Sequence, residues 1–157
     1  MTTQQVSTMP DPHQLQRFID AQDTVYTNVV RELAAGRKQS HWMWFIFPQV
    51  AGLGFSAMAR RFAIGSHAEA HAFLAHDVLG PRLVDCTGLV MKVSGRTIRD
   101  ILGSPDDLKF KSSMTLFDAV SDNPLFSGAL ARYFAGAKDP ATLDRLARFD
   151  DSPPQAS

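Results

Sequence analysis

The stretch SPDDLKFKSSMTLFDAVSDNPLFSGALARYFAGAKDPATL, residues 104–143, decides the fold because it marks three helix starts in the same way. Three dipeptides each place a residue that caps helix N-termini directly before a proline: Ser104-Pro105, Asn123-Pro124 and Asp139-Pro140. Proline suits the first helical position because its φ is already helical and an N–H there would have no partner. The pattern predicts three helices, near 105–120, 124–135 and 140–149.

Similar signals predict further helices before this stretch. Apolar residues spaced three and four apart follow Asp11-Pro12, and a second run of this kind ends at Gly36, a residue typical of helix C-termini. Ser66, with Glu69 three residues later, forms a capping box that opens a helix over 67–76. The remaining predicted helices cover 57–64, Pro81 to Gly95, and 97–102.

The sequence does not predict a β-sheet. Only Trp42–Phe47 is apolar enough for a strand, and no second segment of alternating polarity exists to pair with it. We therefore predict an all-α fold, a single compact domain of roughly seven to nine helices with Trp42–Phe47 at its centre. This domain is expected to cover 11–150, between flexible tails at 1–10 and 151–157.

The composition fits one globular domain without a strong net charge. The 157 residues can build one hydrophobic core, and 45% hydrophobic with 20% charged residues argues against disorder. Sixteen basic residues balance sixteen acidic ones, which argues against general nucleic-acid binding but leaves room for a local basic patch. The longest apolar run, Trp42–Pro48, is too short to cross a bilayer, and residues 1–10 do not form a signal peptide.

The single cysteine is expected to be structural. Leu79, Leu83, Cys86 and Val90 lie on one apolar helical stripe, which indicates a buried thiol in the core. A lone cysteine without a disulfide partner also fits a reducing compartment, so we expect a cytoplasmic protein without membrane contact.

The most unusual stretch is KQSHWMWFIFPQ, residues 38–49, which contains both tryptophans. Aromatic walls with a few polar groups are what a small-molecule pocket offers. The candidate ligand-binding residues of this stretch are Lys38, His41, Trp42, Trp44 and Gln49. The alternative is that its aromatic residues simply form the core, with His41 at the edge.

The next residues, GLGFSA at 52–57, match the dinucleotide-binding pattern G-x-G-x-x-A. The context excludes that function, because Pro48 interrupts the supposed strand and a helix follows where a second strand is required. A weaker hypothesis remains, in which Gly54 and Ser56 present backbone N–H groups to an anion, with Arg60 and Arg61 one turn further on. The alternative is an ordinary turn with an ordinary helix cap.

A second polar cluster lies in the predicted helix 105–120. Lys109, Ser112 and Ser113 share a helix face, and hydroxyl groups inside a helix compete with its backbone hydrogen bonds. Together the three residues could hold a phosphate or another polar ligand. The alternative is close packing of small residues against a neighbouring helix, with Lys109 in solvent.

These clusters support three hypotheses for function. The first is that 38–56 and 109–115 form one groove that binds a small polar or anionic ligand, of which a nucleotide is an example. The second is an enzyme, a hydrolase or transferase, with His41 as general acid or base and Lys109 as electrostatic stabiliser. The third is a non-catalytic interaction domain whose aromatic block contacts a protein partner that the sequence does not identify.

No cofactor or metal is expected. His67 and His71 are spaced to share an ion, and His76 follows, but no third ligand is supplied by the spacing. These histidines are interpreted as a solvated helix flank.

Several blocks resemble one bacterial family, the domain of unknown function 1810. The resemblance extends from Leu15 to Leu146 and is carried by the blocks 15–22, 40–49, 52–54, 76–83, 106–109 and 112–117. It implies a mainly α-helical protein without an established activity, and the label "calpastatin" given to some members has no support in these residues. Two residues depart from the usual pattern: Asp77 stands where members often have proline, and Phe62 where they often have tyrosine.

Overall fold

The computed structural model describes residues 10–151, with the side chains of Asp150 and Asp151 excepted, and it contains ten helices in that range. They are α1 Gln16–Asp23, α2 Tyr26–Ala34, α3 Met43–Ile46, α4 Ala57–Arg61, α5 His67–Ala75, α6 Leu79–Lys92, α7 Ile98–Leu102, α8 Asp106–Ala119, α9 Pro124–Phe134 and α10 Pro140–Asp151. The predicted all-α fold is confirmed. The tenth helix is α3, which forms within the segment that resembled a strand. The predicted flexible tails lie almost wholly outside the described residues.

Capping residues begin several of the helices where the sequence placed them. The Asn123 side chain accepts a hydrogen bond from the Leu125 N–H at 3.0 Å, and the Asp139 carboxylate accepts one from the Thr142 N–H at 3.1 Å. Ser66 caps α5 through the Glu69 N–H at 3.0 Å. These bonds satisfy N–H groups that the first turn of a helix leaves without a partner.

The predicted cap at Ser104 is wrong. Helix α8 begins at Asp106 with Pro105 in the N-cap position, and no side chain caps it. Ser104 and Pro105 lie in a turn, in which the Gly103 carbonyl accepts a hydrogen bond from the Asp107 N–H at 2.9 Å. The helix therefore starts one residue later than the dipeptide rule predicted.

Helix α8 lies at the centre of the core and packs against α5, α7, α9 and α10. Its residues 112–117 are all buried, and so is Phe110, whose ring meets that of Phe47 edge-on at 5.0 Å. Helix α6 packs on the other side, against α2, α3, α5 and α9. Its stripe of Leu79, Leu83, Cys86 and Val90 is fully buried, as predicted.

No sheet forms among the described residues. Their only β-contact is an isolated parallel bridge between Val50 and Ile64. The exclusion of a dinucleotide-binding fold is therefore confirmed, since 52–57 follows a four-residue helix and not a strand. No helix in this part of the chain is long and apolar enough to cross a membrane.

Two of the three histidines do not lie in a solvated flank. His76 Nδ1 accepts hydrogen bonds from the N–H groups of Val78 and Leu79 at 3.0 and 3.3 Å, so it caps the start of α6. His67 packs on α10, with Nε2 3.1 Å from the Leu146 carbonyl oxygen. Only His71 is exposed. Within the described residues, no three His, Cys, Asp or Glu side chains are placed to hold a metal ion.

Candidate functional site

A buried glutamate of α2 organises the tryptophan-containing segment. Glu32 is 3% exposed, and its carboxylate accepts hydrogen bonds from the backbone N–H groups of Gln39 and Ser40 at 2.8 and 3.0 Å. It also accepts bonds from the Ser40 hydroxyl at 2.6 Å and from Trp42 Nε1 at 2.9 Å. Burial alone would raise the pKa of Glu32, but these hydrogen bonds outweigh it and lower the pKa to about 2.

The two tryptophans therefore have different roles. Trp42 is fully buried and belongs to the core with Met43, Phe45, Ile46 and Phe47. Trp44 is only partly buried and reaches a surface cleft. The core interpretation therefore describes Trp42, whereas Trp44 lies at the surface cleft.

This cleft, the Trp44 cleft, lies between the loop after α3, the first half of α8 and the start of α10. Its volume is about 400 Å³, within the usual range of small-molecule sites. It is lined by Trp44, Gln49, Leu53, Gly54, Phe55, Ser56, Ala59, Pro105, Leu108, Lys109, Ser112, Asp139 and Ala141. The structure thus brings residues of both polar clusters of the sequence to one place.

Lys109 supplies the positive charge of the Trp44 cleft. Its Nζ lies 5.4 Å from the centre of the Trp44 ring, a cation–π distance. The same Nζ lies 3.5 Å from Oδ1 of Asp106. The other carboxylate oxygen of Asp106, Oδ2, lies 3.0 Å from Nζ of Lys38. Asp106 therefore bridges two lysines and orients Lys109, while the long contact leaves the ammonium group able to bind a further anion.

Asp139 connects the cleft to α10. Its Oδ2 accepts hydrogen bonds from the Ser112 hydroxyl at 2.9 Å and from the backbone and hydroxyl of Thr142. The Thr115 hydroxyl accepts from the Asp139 N–H at 2.9 Å. The sequence identified Asp139 only as a helix cap, because nothing local shows that the same carboxylate reaches across to α8.

Four predicted site residues do not line the Trp44 cleft. His41 is exposed and lies outside its lining. The Lys38 side chain is 8% exposed and is held by Asp106, and Trp42 is in the core. Ser113 is fully buried, and its hydroxyl has no hydrogen-bond partner among the described residues.

The structure has only part of the geometry that the hypothesis of anion binding at Ser56 predicts. Ser56 caps α4 by accepting from the Ala59 N–H at 3.1 Å, and it lines the Trp44 cleft together with Gly54 and Gln49. Arg60 and Arg61 instead line a separate surface depression beside Arg17 and Glu69. The charge next to Ser56 therefore comes from Lys109 and not from these arginines.

The rim of the cleft is apolar. Phe55 is 76% exposed and Leu108 is 58% exposed, and they are the two most exposed of the large apolar side chains in the described part of the chain. Large apolar side chains that stay in water beside a polar cleft are typical of binding surfaces. The arrangement can thus offer an aromatic face, a cation, hydroxyl and amide groups, and apolar edges to one ligand.

The fold and the site together define the class of protein: a single all-α domain with a cleft of small-molecule size beside its central helix. The chain belongs to the family described as "Protein of unknown function (DUF1810)", whose model matches residues 12–146. The structure is similar to the crystal structure, at 1.38 Å, of the conserved hypothetical protein Rv1873 from Mycobacterium tuberculosis. The two are 56% identical with a TM-score of 0.86, over 87% of this chain and 99% of that one. No curated protein matches.

Proposed function

We propose that the Trp44 cleft binds a small polar or anionic ligand with a planar part, of which a nucleotide is an example. The observation that carries this proposal is the position of Lys109 Nζ, 5.4 Å from the Trp44 ring centre inside a cleft of about 400 Å³. The ammonium group attracts the anionic part of the ligand. The indole of Trp44 and the exposed ring of Phe55 offer faces for the planar part.

Polar groups around the cation support the same proposal. Ser56, Gln49 and Ser112 line the cleft beside Lys109 and supply hydrogen-bonding groups that fix the orientation of a ligand. Asp139 is the only carboxylate that the described residues contribute to the lining, and its Oδ2 is occupied by hydrogen bonds from Ser112 and Thr142. The carboxylate is thus engaged within the protein, and the Lys109 ammonium group is the charge that the cleft presents to a ligand anion.

Binding is favoured over catalysis by the position of His41. A general acid or base must reach the reacting group, and His41 lies outside the lining of the cleft. The enzymatic hypothesis would have to rely on Lys109 and Asp139 alone. We propose a ligand-binding domain, and a cytoplasmic location in keeping with the buried thiol of Cys86.

A thermal-shift screen against nucleotides and aromatic acids tests the proposal. A ligand at about one hundred times its dissociation constant should stabilise the protein by about 2.7 kcal/mol, a shift of several degrees. Each hit is then measured with Lys109→Ala and Trp44→Leu, which should weaken binding at least about tenfold by removing the cation or the aromatic face. Lys111→Ala is the matched control, because its Nζ lies over Phe134 and not in the cleft. The proposal is refuted if every hit keeps its full affinity in both cleft variants.

The apolar rim favours one second candidate, a segment of a partner protein as occupant of the cleft. Phe55 and Leu108 would then insert into the partner surface. Phe55→Ser separates the two candidates. It should abolish partner binding, whereas a small anion held by Lys109 should lose only the part of its affinity that stacking supplies.

A further inference from the structure

We propose that a second cleft, the arginine cleft, binds the phosphate group of a small molecule. It lies where the loop between α6 and α7 and the start of α7 meet α9, and it has a volume of about 570 Å³. Its lining residues are Gly95, Arg96, Thr97, Ile98, Arg99, Asp100, Arg132 and Tyr133. None of them lines the Trp44 cleft, so this proposal is independent of the proposed function above.

The charge of the arginine cleft is only partly neutralised from within. Arg96, Arg99 and Arg132 form no ion pair with a carboxylate among the described residues, although six other basic side chains do. Among the described residues, Asp100 is the only acidic residue of the lining, and its side chain accepts a hydrogen bond from the Thr97 N–H at 3.2 Å. Three guanidinium groups and one carboxylate leave an excess of positive charge that suits a dianion.

Backbone carbonyl groups fix two of the arginines in place. Arg96 donates from Nε to the Gly36 carbonyl and from Nη2 to the Asp100 carbonyl, both at 3.0 Å. Arg132 donates from Nη2 to the Val93 carbonyl at 2.6 Å. Neutral acceptors of this kind orient a guanidinium without cancelling its charge. Because a guanidinium has five N–H donors, each of these arginines keeps donors for a ligand.

Arg99 is different, because its side chain makes no hydrogen bond or ion pair within the described part of the chain. It lines the same cleft from α7 and is exposed. The guanidinium of Arg99 is thus free to move, and it lies beside two guanidinium groups that are held in position. It is therefore suited to bind an incoming oxyanion. The planar fork matches phosphate oxygens in a bidentate manner that lysine does not reproduce.

The charge of the whole chain favours a small molecule over a nucleic acid. Sixteen basic residues are balanced by sixteen acidic ones, so a long polyanion would meet repulsion outside the cleft. One or two phosphate groups would experience only the local excess. The structure therefore indicates a phosphate monoester or a diphosphate as the ligand class.

Titration calorimetry with sodium pyrophosphate at low ionic strength tests the proposal. We expect saturable binding at one site, weakened at least about tenfold by Arg99→Ala and less by Arg99→Lys, since lysine keeps the charge but loses the fork. Arg99→Ala removes no side-chain hydrogen bond or ion pair of the described structure, so loss of folding should not complicate the result. Arg132→Ala should weaken binding as well.

Three controls define what would overturn the proposal. Arg31→Ala removes an exposed arginine outside both clefts, and an equal loss of affinity there would show unspecific charge attraction. A loss with Lys109→Ala, together with full binding by Arg99→Ala, would assign pyrophosphate to the Trp44 cleft. Binding of a short single-stranded RNA without binding of pyrophosphate, or no binding of pyrophosphate at all, would also refute it.

Discussion

The ammonium group of Lys109 stands over the ring of Trp44, with 5.4 Å between Nζ and the ring centre. The two residues come from segments that are far apart in the chain, α8 and α3. Their contact joins the central helix to the tryptophan segment at the surface. Because Trp42 is buried against Glu32, Trp44 is the tryptophan that reports on this contact.

Lys109→Ala should change the fluorescence of the free protein. The cation near the indole is removed, so the emission of Trp44 should shift, while the free energy of unfolding should fall by no more than about 1 kcal/mol. Emission spectra of Lys109→Ala and of the control Lys111→Ala measure this. In a Trp44→Phe background Trp42 is the only remaining tryptophan, and Lys109→Ala should then have no effect on the tryptophan emission. A change that persists in that background would contradict the assignment.

Glu32→Gln should destabilise the protein by about 3 kcal/mol, although it keeps the shape of the side chain. The carboxylate accepts four hydrogen bonds in a buried position, and an amide would bring N–H groups against these donors. Denaturant unfolding measures the loss. Asp122→Asn, on an exposed carboxylate, is the control and should change stability by less than about 0.5 kcal/mol. A loss equal to that of the control would show that Glu32 does not organise the segment.

Acid should destabilise the protein partly through Glu32. Its pKa is about 2 in the folded protein and ordinarily 4.5, so the folded state favours the carboxylate. This contribution is fully present above pH 4.5 and is lost as the pH falls from 4.5 towards 2. The difference corresponds to about 3 kcal/mol. Stability measured across this window should fall more steeply in the natural protein than in Glu32→Gln, and parallel curves would disprove the linkage.

Asp139→Ala should cost about 2 kcal/mol, whereas Asp139→Asn should cost less than about 1 kcal/mol. Asparagine is an equally good N-cap, and its carbonyl oxygen can accept from the Thr142 N–H and the Ser112 hydroxyl as the carboxylate does. Thermal unfolding of the two variants gives the comparison. Equal losses would mean that the negative charge at this position matters more than the hydrogen bonds.

Alanine substitutions at the two neighbouring serines, Ser112 and Ser113, should change the stability of the protein in opposite directions. The buried Ser113 hydroxyl lacks a partner among the described residues, so Ser113→Ala should stabilise the protein by about 1 kcal/mol. Ser112→Ala removes the bond to Asp139 and should be destabilising. Melting temperatures of both variants test this. A marked destabilisation by Ser113→Ala would show that its hydroxyl does contribute to stability.

The helices could be predicted where the signal is local. Asn123 and Asp139 cap α9 and α10 through their own side chains, so the dipeptide pattern was sufficient there. It failed at Ser104, where the residues before α8 form a turn that the pattern does not describe. A short sequence window specifies a cap, but it does not specify the path by which the chain reaches the helix.

The site could be predicted only in outline. Aromatic and polar clusters identified the segments, and the structure brings Trp44, Ser56, Lys109 and Ser112 to one cleft. Trp42 and Trp44 could not be told apart from the sequence, because their difference depends on Glu32 in another helix. Polar character alone was also insufficient, since Ser113 looked like Ser112 but is enclosed in the core.

The position of Asp139 determines how the chain can be divided. Its carboxylate closes one wall of the Trp44 cleft, and it also begins the last described helix. A fragment that ends before Pro140 would keep Trp44 and Lys109 but lose Ala141 and the hydrogen bonds from Thr142 that hold this carboxylate. The C-terminal helix is therefore an integral part of the smallest excisable module that retains the cleft, and shortened versions of the protein for biosensor or fusion use have to include it.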